Sequence, residues 1–287
     1  MVTGNKIKPA FEIADENLNP ENILQYKRSI QFALNGFCFS ISDLKSGKLI
    51  LLKEYLLKEV KSTIGFNDNF AEIFKNEFFL NSEVDKTIIS MEGSKSILIP
   101  NPLFDEEKQD FYWNLNYSSD EFYYQGFDNL KAINAKLLFR WNLDWFNILN
   151  QYFPKAEFVD KSYTILNSIL NSNKNNQDQK CFLNVGYQEI DIIVLNGPDL
   201  IFHNTFAFKT DEDILFFVLS VYDQLKLNPE IQAITVLGAV SKTSKLYEFL
   251  FKYIRNVNFG VKPNNLSFSY QFGSIPSHYY YSLFCIS

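Results

Sequence analysis

Histidine is nearly absent from this chain: His203 and His278 are the only two among 287 residues. Neither falls in a Cys-x-x-Cys or His-x-x-x-His spacing, so no zinc site is expected. Cysteine is scarce as well. Cys38, Cys181 and Cys285 are far apart and odd in number, which fits reduced core thiols better than a disulfide framework. Gly-x-x-x-x-Gly-Lys-Ser/Thr is missing, and so are a Gly-x-Gly-x-x-Gly fingerprint after a strand and a Gly-x-Ser-x-Gly elbow. Their absence removes the familiar phosphate cradles and any locally marked nucleophile. No run of roughly 18 apolar residues is free of charge, so membrane insertion is not expected. Residues 1–20 mix Lys6, Lys8, Glu12, Asp15 and Glu16 with few apolar residues, unlike a signal peptide, and the protein is expected to be cytoplasmic. Positive charge is in deficit. Against 33 Asp and Glu stand 27 Lys and Arg, a net charge of -6, which disfavours nucleic acid and anionic membranes as partners.

What is present is apolar and aromatic. At 46% hydrophobic and 17% aromatic residues the chain can bury a sizeable interior, and 287 residues favour two modest lobes over one core. The strongest break is residues 171–180, which hold no apolar side chain and read as a solvated loop. The expected organisation is an N-terminal segment 1–20, a first lobe 21–178 with an inserted subdomain at about 103–171, and a second lobe 179–287. The aromatic run Phe139-Arg140-Trp141-Asn142-Leu143-Asp144-Trp145-Phe146 falls in the insertion, where core packing is the ordinary fate of such residues.

Beyond the break, residues 181–185, 190–195 and 200–208 read as three strands joined by a turn at 186–188 and by Asn196-Gly197-Pro198-Asp199. Thr210 is placed to cap a helix, with Asp213 completing a capping box and Ile214, Phe217, Val218, Val221 and Leu225 at helical spacing. Residues 231–237 read as a buried strand. Ser241 is placed to cap a second helix carrying Leu246, Phe249, Leu250, Tyr253 and Ile254. The order is βββαβα. In the first half, residues 29–34 and 37–42 flank Asn35-Gly36, a type I′ hairpin signal, and a third strand spans 48–56. A helix around Phe70, Ile73, Phe74 and Leu80, preceded by Asn67 and Asp68, leads to a strand at 87–91. The interval from Gly36 to Gly47 equals that from Gly186 to Gly197, and the two halves read as an internal duplication. Chance recurrence of hairpins and amphipathic helices is the competing explanation.

Two βββαβα units are the plan of the actin, heat-shock ATPase and sugar kinase superfamily, and three segments resemble its nucleotide motifs. In that superfamily, Asp-x-Gly hairpin turns hold phosphates on backbone amides while their acids position magnesium and water. The matching stretches here are Leu34-Asn35-Gly36 and Asn184-Val185-Gly186, so Leu34 and Asn184 take the places of the two acids. The adenosine motif is similar to Val236-Leu237-Gly238-Ala239-Val240-Ser241, with Ala239 in place of the second glycine. Including Ile275-Pro276-Ser277-His278-Tyr279-Tyr280, nearly the whole chain resembles an uncharacterised bacterial domain-of-unknown-function family, family 3822, with an actin-like ATPase fold. The resemblance implies an α/β, ribonuclease H-like architecture of two lobes. A magnesium ion wants anionic oxygens, which Leu34 and Asn184 do not supply. The lost charges therefore imply a pseudo-ATPase that needs no cofactor and acts through a protein partner. The alternative is an ATP-binding or ATP-hydrolysing enzyme or nucleotide sensor, with magnesium, taking its acids from Asp43 or Asp191.

Overall fold

The computed structural model describes residues 7–33, 35–57, 62–118, 122–264 and 266–287. After β1 (Phe11–Ala14), three strands pair as a meander of β2 (Tyr26–Ala33), β3 (Gly36–Asp43) and β4 (Lys48–Leu56). Helices α1 (Thr63–Asn76) and α2 (Phe78–Asn81) then lead into β5 (Lys86–Met91). The middle of the chain holds β6 (Lys95–Pro100), α3 (Gln109–Asn114), β7 (Tyr123–Leu130), β8 (Ala135–Asn142), α4 (Leu143–Tyr152), β9 (Glu157–Phe158) and α5 (Lys161–Asn173). A second meander follows, β10 (Gln179–Val185), β11 (Glu189–Asn196) and β12 (Asp199–Ala207), then α6 (Asp211–Gln224), β13 (Ile234–Gly238), α7 (Lys245–Tyr253) and β14 (Val257–Phe259). Two short elements, β15 (Ser267–Phe268) and α8 (Tyr281–Phe284), end the described chain.

The duplication is visible in the pairing. One sheet contains the order β4-β3-β2-β5-β9 and the other β12-β11-β10-β13-β14. In both, the first two pairings are antiparallel and the last two parallel. Strands β3 and β11 are buried along nearly their whole length, including the polar residues Ser40, Ser42, Glu189 and Asp191. A third sheet, β6-β8-β7, draws on residues 95–142, starting upstream of the 103–171 span expected for the insertion, while β9 returns to the first sheet.

Several local expectations shift by a few residues. Ala33 pairs with Gly36, so Gly36 belongs to the ladder of the first hairpin. Glycine is needed at 36 because a Cβ would overlap the Tyr55 carbonyl oxygen on β4. Helix α1 starts at Thr63, where Ser62 accepts the Gly65 N–H, so Asn67 and Asp68 lie inside it and Leu80 falls on α2. The α7 cap is Ser244, which accepts the Tyr247 N–H, and not Ser241. Ser241 sits in the preceding turn, where its carbonyl accepts both the N–H and the hydroxyl of Ser244. Helix α5 runs on through Asn173 into the segment read as loop, because the buried Asn173 amide bonds back to Ile169 O and accepts from Lys180 Nζ. The Thr210–Asp213 capping box forms as expected.

One apolar cluster joins the two sheets, with Phe32, Phe37, Phe66 and Phe70 on one side and Phe182, Ile193, Leu195 and Leu237 on the other. A second lies under α6 and α7. The third forms where Phe272, Ile275, Leu283, Phe284 and Ile286 cover Leu49, Leu52 and Ile88 of the first sheet. Phe139 and Trp141 are core residues. The three thiols are free, with Cys38 and Cys181 buried. Among the described residues, no helix is long and apolar enough to cross a membrane.

Candidate functional site

The second hairpin turns through Gly186, Tyr187 and Gln188, with the Gly186 N–H bonded to Glu189 O. Its exposed backbone donors already have an acceptor. Glu92, the residue after β5, places one carboxylate oxygen 3.0 Å from the Tyr187 N–H nitrogen and 3.3 Å from that of Gln188. Its other oxygen accepts from Tyr187 at 3.2 Å and from Gln31 Nε2 at 3.3 Å. Gly186 is required here because a Cβ would overlap this carboxylate. Burial pushes the Glu92 pKa up to about 7; Lys161 opposes that rise, Glu189 adds to it, and the two backbone donors oppose it.

Beneath the turn lies a buried ionic cluster. Lys161, the first residue of α5, is 1% exposed, and its ammonium pairs with Glu189 and, at 3.0 Å, with Asp191 Oδ2. Asp191 also accepts from Thr205 Oγ1 at 2.8 Å and from Asn184 Nδ2 at 3.1 Å. Burial by itself would raise the Asp191 pKa, but Lys161 and then His203 outweigh it and hold the carboxyl well below its usual range. Asn184 is fully buried and donates its amide to Asp191.

Parallel pairing of β10 with β13 sets Val185 beside Gly238, so the second loop and the adenosine-like motif meet. Val185, Gly186, Gly238 and Ala239 line a cavity of about 80 Å³ together with Glu92 and Tyr280. Small-molecule sites usually enclose roughly 300–1,000 Å³. Residues 278–287 account for the lack of room. His278 O accepts the Gly238 N–H at 2.8 Å, His278 Nε2 bonds Val240 O at 2.7 Å, and the ring stacks on Phe259. Tyr280 donates to Glu54 at 2.8 Å, Ser282 lies 3.4 Å from Asn184 Oδ1, and Ser29 of β2 donates to Ile286 O at 2.7 Å. The segment therefore ties both sheets together across the cleft.

A second cavity, about 490 Å³, opens on the other side of Glu92, between Ala33 of the first hairpin and Gln188 and Glu189 of the second. Its described lining includes Glu92, Asp144 and Glu189, the last of them paired with Lys161, and no Lys or Arg. No group of three His, Cys, Asp or Glu among the described residues is placed to hold a metal ion.

The expected site residues thus divide. Val185, Gly186, Gly238 and Ala239 come together, and Asn184 lies beneath them. Asn35 and Gly36 stay outside the 80 Å³ cavity, Asn35 O being bonded to the Leu57 N–H and Asn35 Oδ1 buried without a partner. Leu34 lies outside the described residues. Ser241 is turned toward Thr243, 3.0 Å away, and lines neither cavity. Asp43 caps the opposite end of its hairpin, accepting from the Lys45 N–H and the Ser46 hydroxyl. Glu92 and Lys161 were not anticipated. A signal existed for Lys161, which stands in line with Ile165 and Ile169 on the buried face of α5. Nothing local marks Glu92, whose partners lie 95 and 96 positions away.

Comparison with known proteins agrees with this architecture. No curated protein matches the chain. A solved protein from Bacteroides thetaiotaomicron VPI-5482, described as having an actin-like ATPase fold and unknown function, is similar at 24% identity and a TM-score of 0.75, over 85% of this chain and 93% of that one. The PilM–PilN type IV pilus biogenesis complex contains a chain similar at 11% identity and a TM-score of 0.59, over 90% of this chain and 97% of that one. These likenesses establish an actin-like ATPase fold. Residues 15–257 match the model of the family described as Protein of unknown function (DUF3822), and the chain belongs to that family.

Proposed function

We propose that this protein is a non-catalytic member of the actin-like fold, a pseudo-ATPase that works in the cytoplasm by binding a protein partner. The observation that carries this is the Glu92 carboxylate on the Tyr187 and Gln188 amides, which puts a covalently tethered anion where the superfamily's second loop holds phosphate. A tethered carboxylate has an effective concentration that free nucleotide must overcome. The 80 Å³ remaining beside Gly238 and the 278–287 segment across it support the same conclusion. Asp191, the acid that could replace the missing ones, is committed to Lys161. Loss of nucleotide chemistry with retention of the frame leaves the surface as the means of action, and the likeness to PilM, solved with PilN, supports a protein as the partner.

Calorimetric titration of the full chain with ATP and with ADP, each with magnesium, tests the proposal. No saturable heat is expected. Binding with a dissociation constant on the order of micromolar would overturn it in favour of a nucleotide sensor or enzyme.

A further inference from the structure

The inserted sheet carries an apolar face that folding does not require. A 3-10 turn at Glu106–Lys108 leads into α3, and the N–H groups of Leu115 and Tyr117 continue the helical bonding to Phe111 O and Trp113 O. Trp113 fills the inner side of this helix, fully buried in a cluster with Ile99 and Leu138. Phe111 and Leu115 stand four residues apart on the opposite side, 59% and 68% exposed. Tyr112 donates to Leu103 O at 2.6 Å, which ties to the same helix a third leucine, 68% exposed. A single exposed apolar residue is ordinary. Two in line on a helix whose inner side is already filled contribute little to the fold, where any good helix former would serve as well.

Charge is concentrated in the same place. Residues 103–122 hold Asp105, Glu106, Glu107, Asp110, Asp120 and Glu121 against the single Lys108, a net charge of -5 in a chain whose total is -6. The rest of the chain is thus nearly neutral, and its negative field is centred on this segment. Asp105 is paired with Lys108 and Asp110 with Arg140. Glu106 and Glu107, one turn before Phe111, are exposed and enter no ion pair among the described residues.

We propose that this face docks an amphipathic helix of a partner protein, whose apolar stripe covers Phe111 and Leu115 and whose Lys or Arg residues meet Glu106 and Glu107. The inference rests on the protein-partner reading above and gives that partner a surface and a chemistry. A helix fits because side chains one turn apart form a ridge that packs into the groove of another helix. The charge argues against other occupants: a second copy would set the same acids against each other, and an anionic membrane would be repelled.

The test titrates the full chain, ¹³C-methyl-labelled at leucine, with a synthetic leucine–lysine helix of about 18 residues whose leucines recur at i, i+3, i+4 and i+7. Methyl signals of Leu103 and Leu115 are expected to move and saturate with a dissociation constant of about 100 μM or tighter, while Leu24, exposed outside the inserted sheet, stays still. The same peptide with glutamate for every lysine should not bind below about 1 mM. Phe111→Ser combined with Leu115→Ser should weaken the lysine peptide at least about tenfold without moving the urea midpoint, since both side chains are exposed. The methyl map and the glutamate peptide use the unmodified protein, so they decide even if the double variant unfolds. Equal binding of the two peptides, unchanged affinity in a folded double variant, or movement of Leu24 in place of Leu115 would overturn the proposal. So would dimerisation of the full chain, or its sedimentation with phosphatidylcholine vesicles, that the double variant abolishes; these reassign the face to a second copy or to a lipid surface. Nucleotide binding in the calorimetric titration would overturn the pseudo-ATPase reading without changing the peptide result, so the two failures are distinct.

Discussion

Glu92 and Tyr187 are 95 positions apart, yet both oxygens of the Glu92 carboxylate accept the Tyr187 backbone N–H, at 3.0 and 3.2 Å. The contact joins the end of a strand in the first repeat to the loop of the second. It uses a phosphate-type cradle of successive N–H groups to hold the protein's own anion.

Because the folded-state pKa of Glu92 is raised to about 7 from 4.5, its contribution to stability is fully present below pH 4.5 and is lost as pH rises through 7. Relative to Glu92→Gln, the unmodified protein should therefore lose about 3 kcal/mol between pH 4.5 and pH 8. Urea unfolding of both proteins across that range measures the difference. A difference that stays flat would show that Glu92 does not take up a proton in this window.

Gly186→Ala places a methyl group against the Glu92 carboxylate. A loss of roughly 1–3 kcal/mol is expected, and most of it should vanish when Glu92 is also replaced by Ala. A double-mutant cycle by chemical denaturation reads the coupling; additive effects would mean that the two residues do not oppose each other.

Lys161→Met leaves Glu189 and Asp191 buried without their cation. Removing one partner from such a pair costs about 3–5 kcal/mol. Adding Asp191→Asn should recover part of the loss, seen as a return of the urea midpoint. No recovery would place the cost in lost packing rather than in uncompensated charge.

The two serines before α7 give a local test. Ser244→Ala should destabilise by about 1 kcal/mol because Ser244 caps the helix, whereas Ser241→Ala should be nearly neutral. Thermal unfolding distinguishes them, and the opposite ranking would return the cap to Ser241.

Leu283→Ala removes a fully buried side chain from the cluster between residues 272–286 and the first sheet. A cost of about 2–5 kcal/mol is expected from lost burial and the cavity left behind. A change below about 1 kcal/mol by denaturant titration would mean that the segment is only loosely held over the cleft.

Much of the frame was legible in the sequence because it rests on short-range physics. Period-two alternation, the turn at Gly197-Pro198 and the Thr210–Asp213 capping box each act within a few residues, so the order of strands and helices could be read directly. The duplicated plan was legible too. The α7 cap fell at Ser244 rather than Ser241 because neighbouring serines offer equivalent local chemistry until tertiary packing selects one.

By itself, then, the sequence determined two βββαβα units. Only the tertiary structure decided what surrounds the second hairpin loop. Glu92 on the second loop, Lys161 beneath it and residues 278–287 across the cleft come together through strand pairing and packing between segments tens to hundreds of residues apart. Apart from the place of Lys161 on the buried face of α5, such convergence leaves no local signal in the chain, because burial and electrostatics select it only after the two sheets have met.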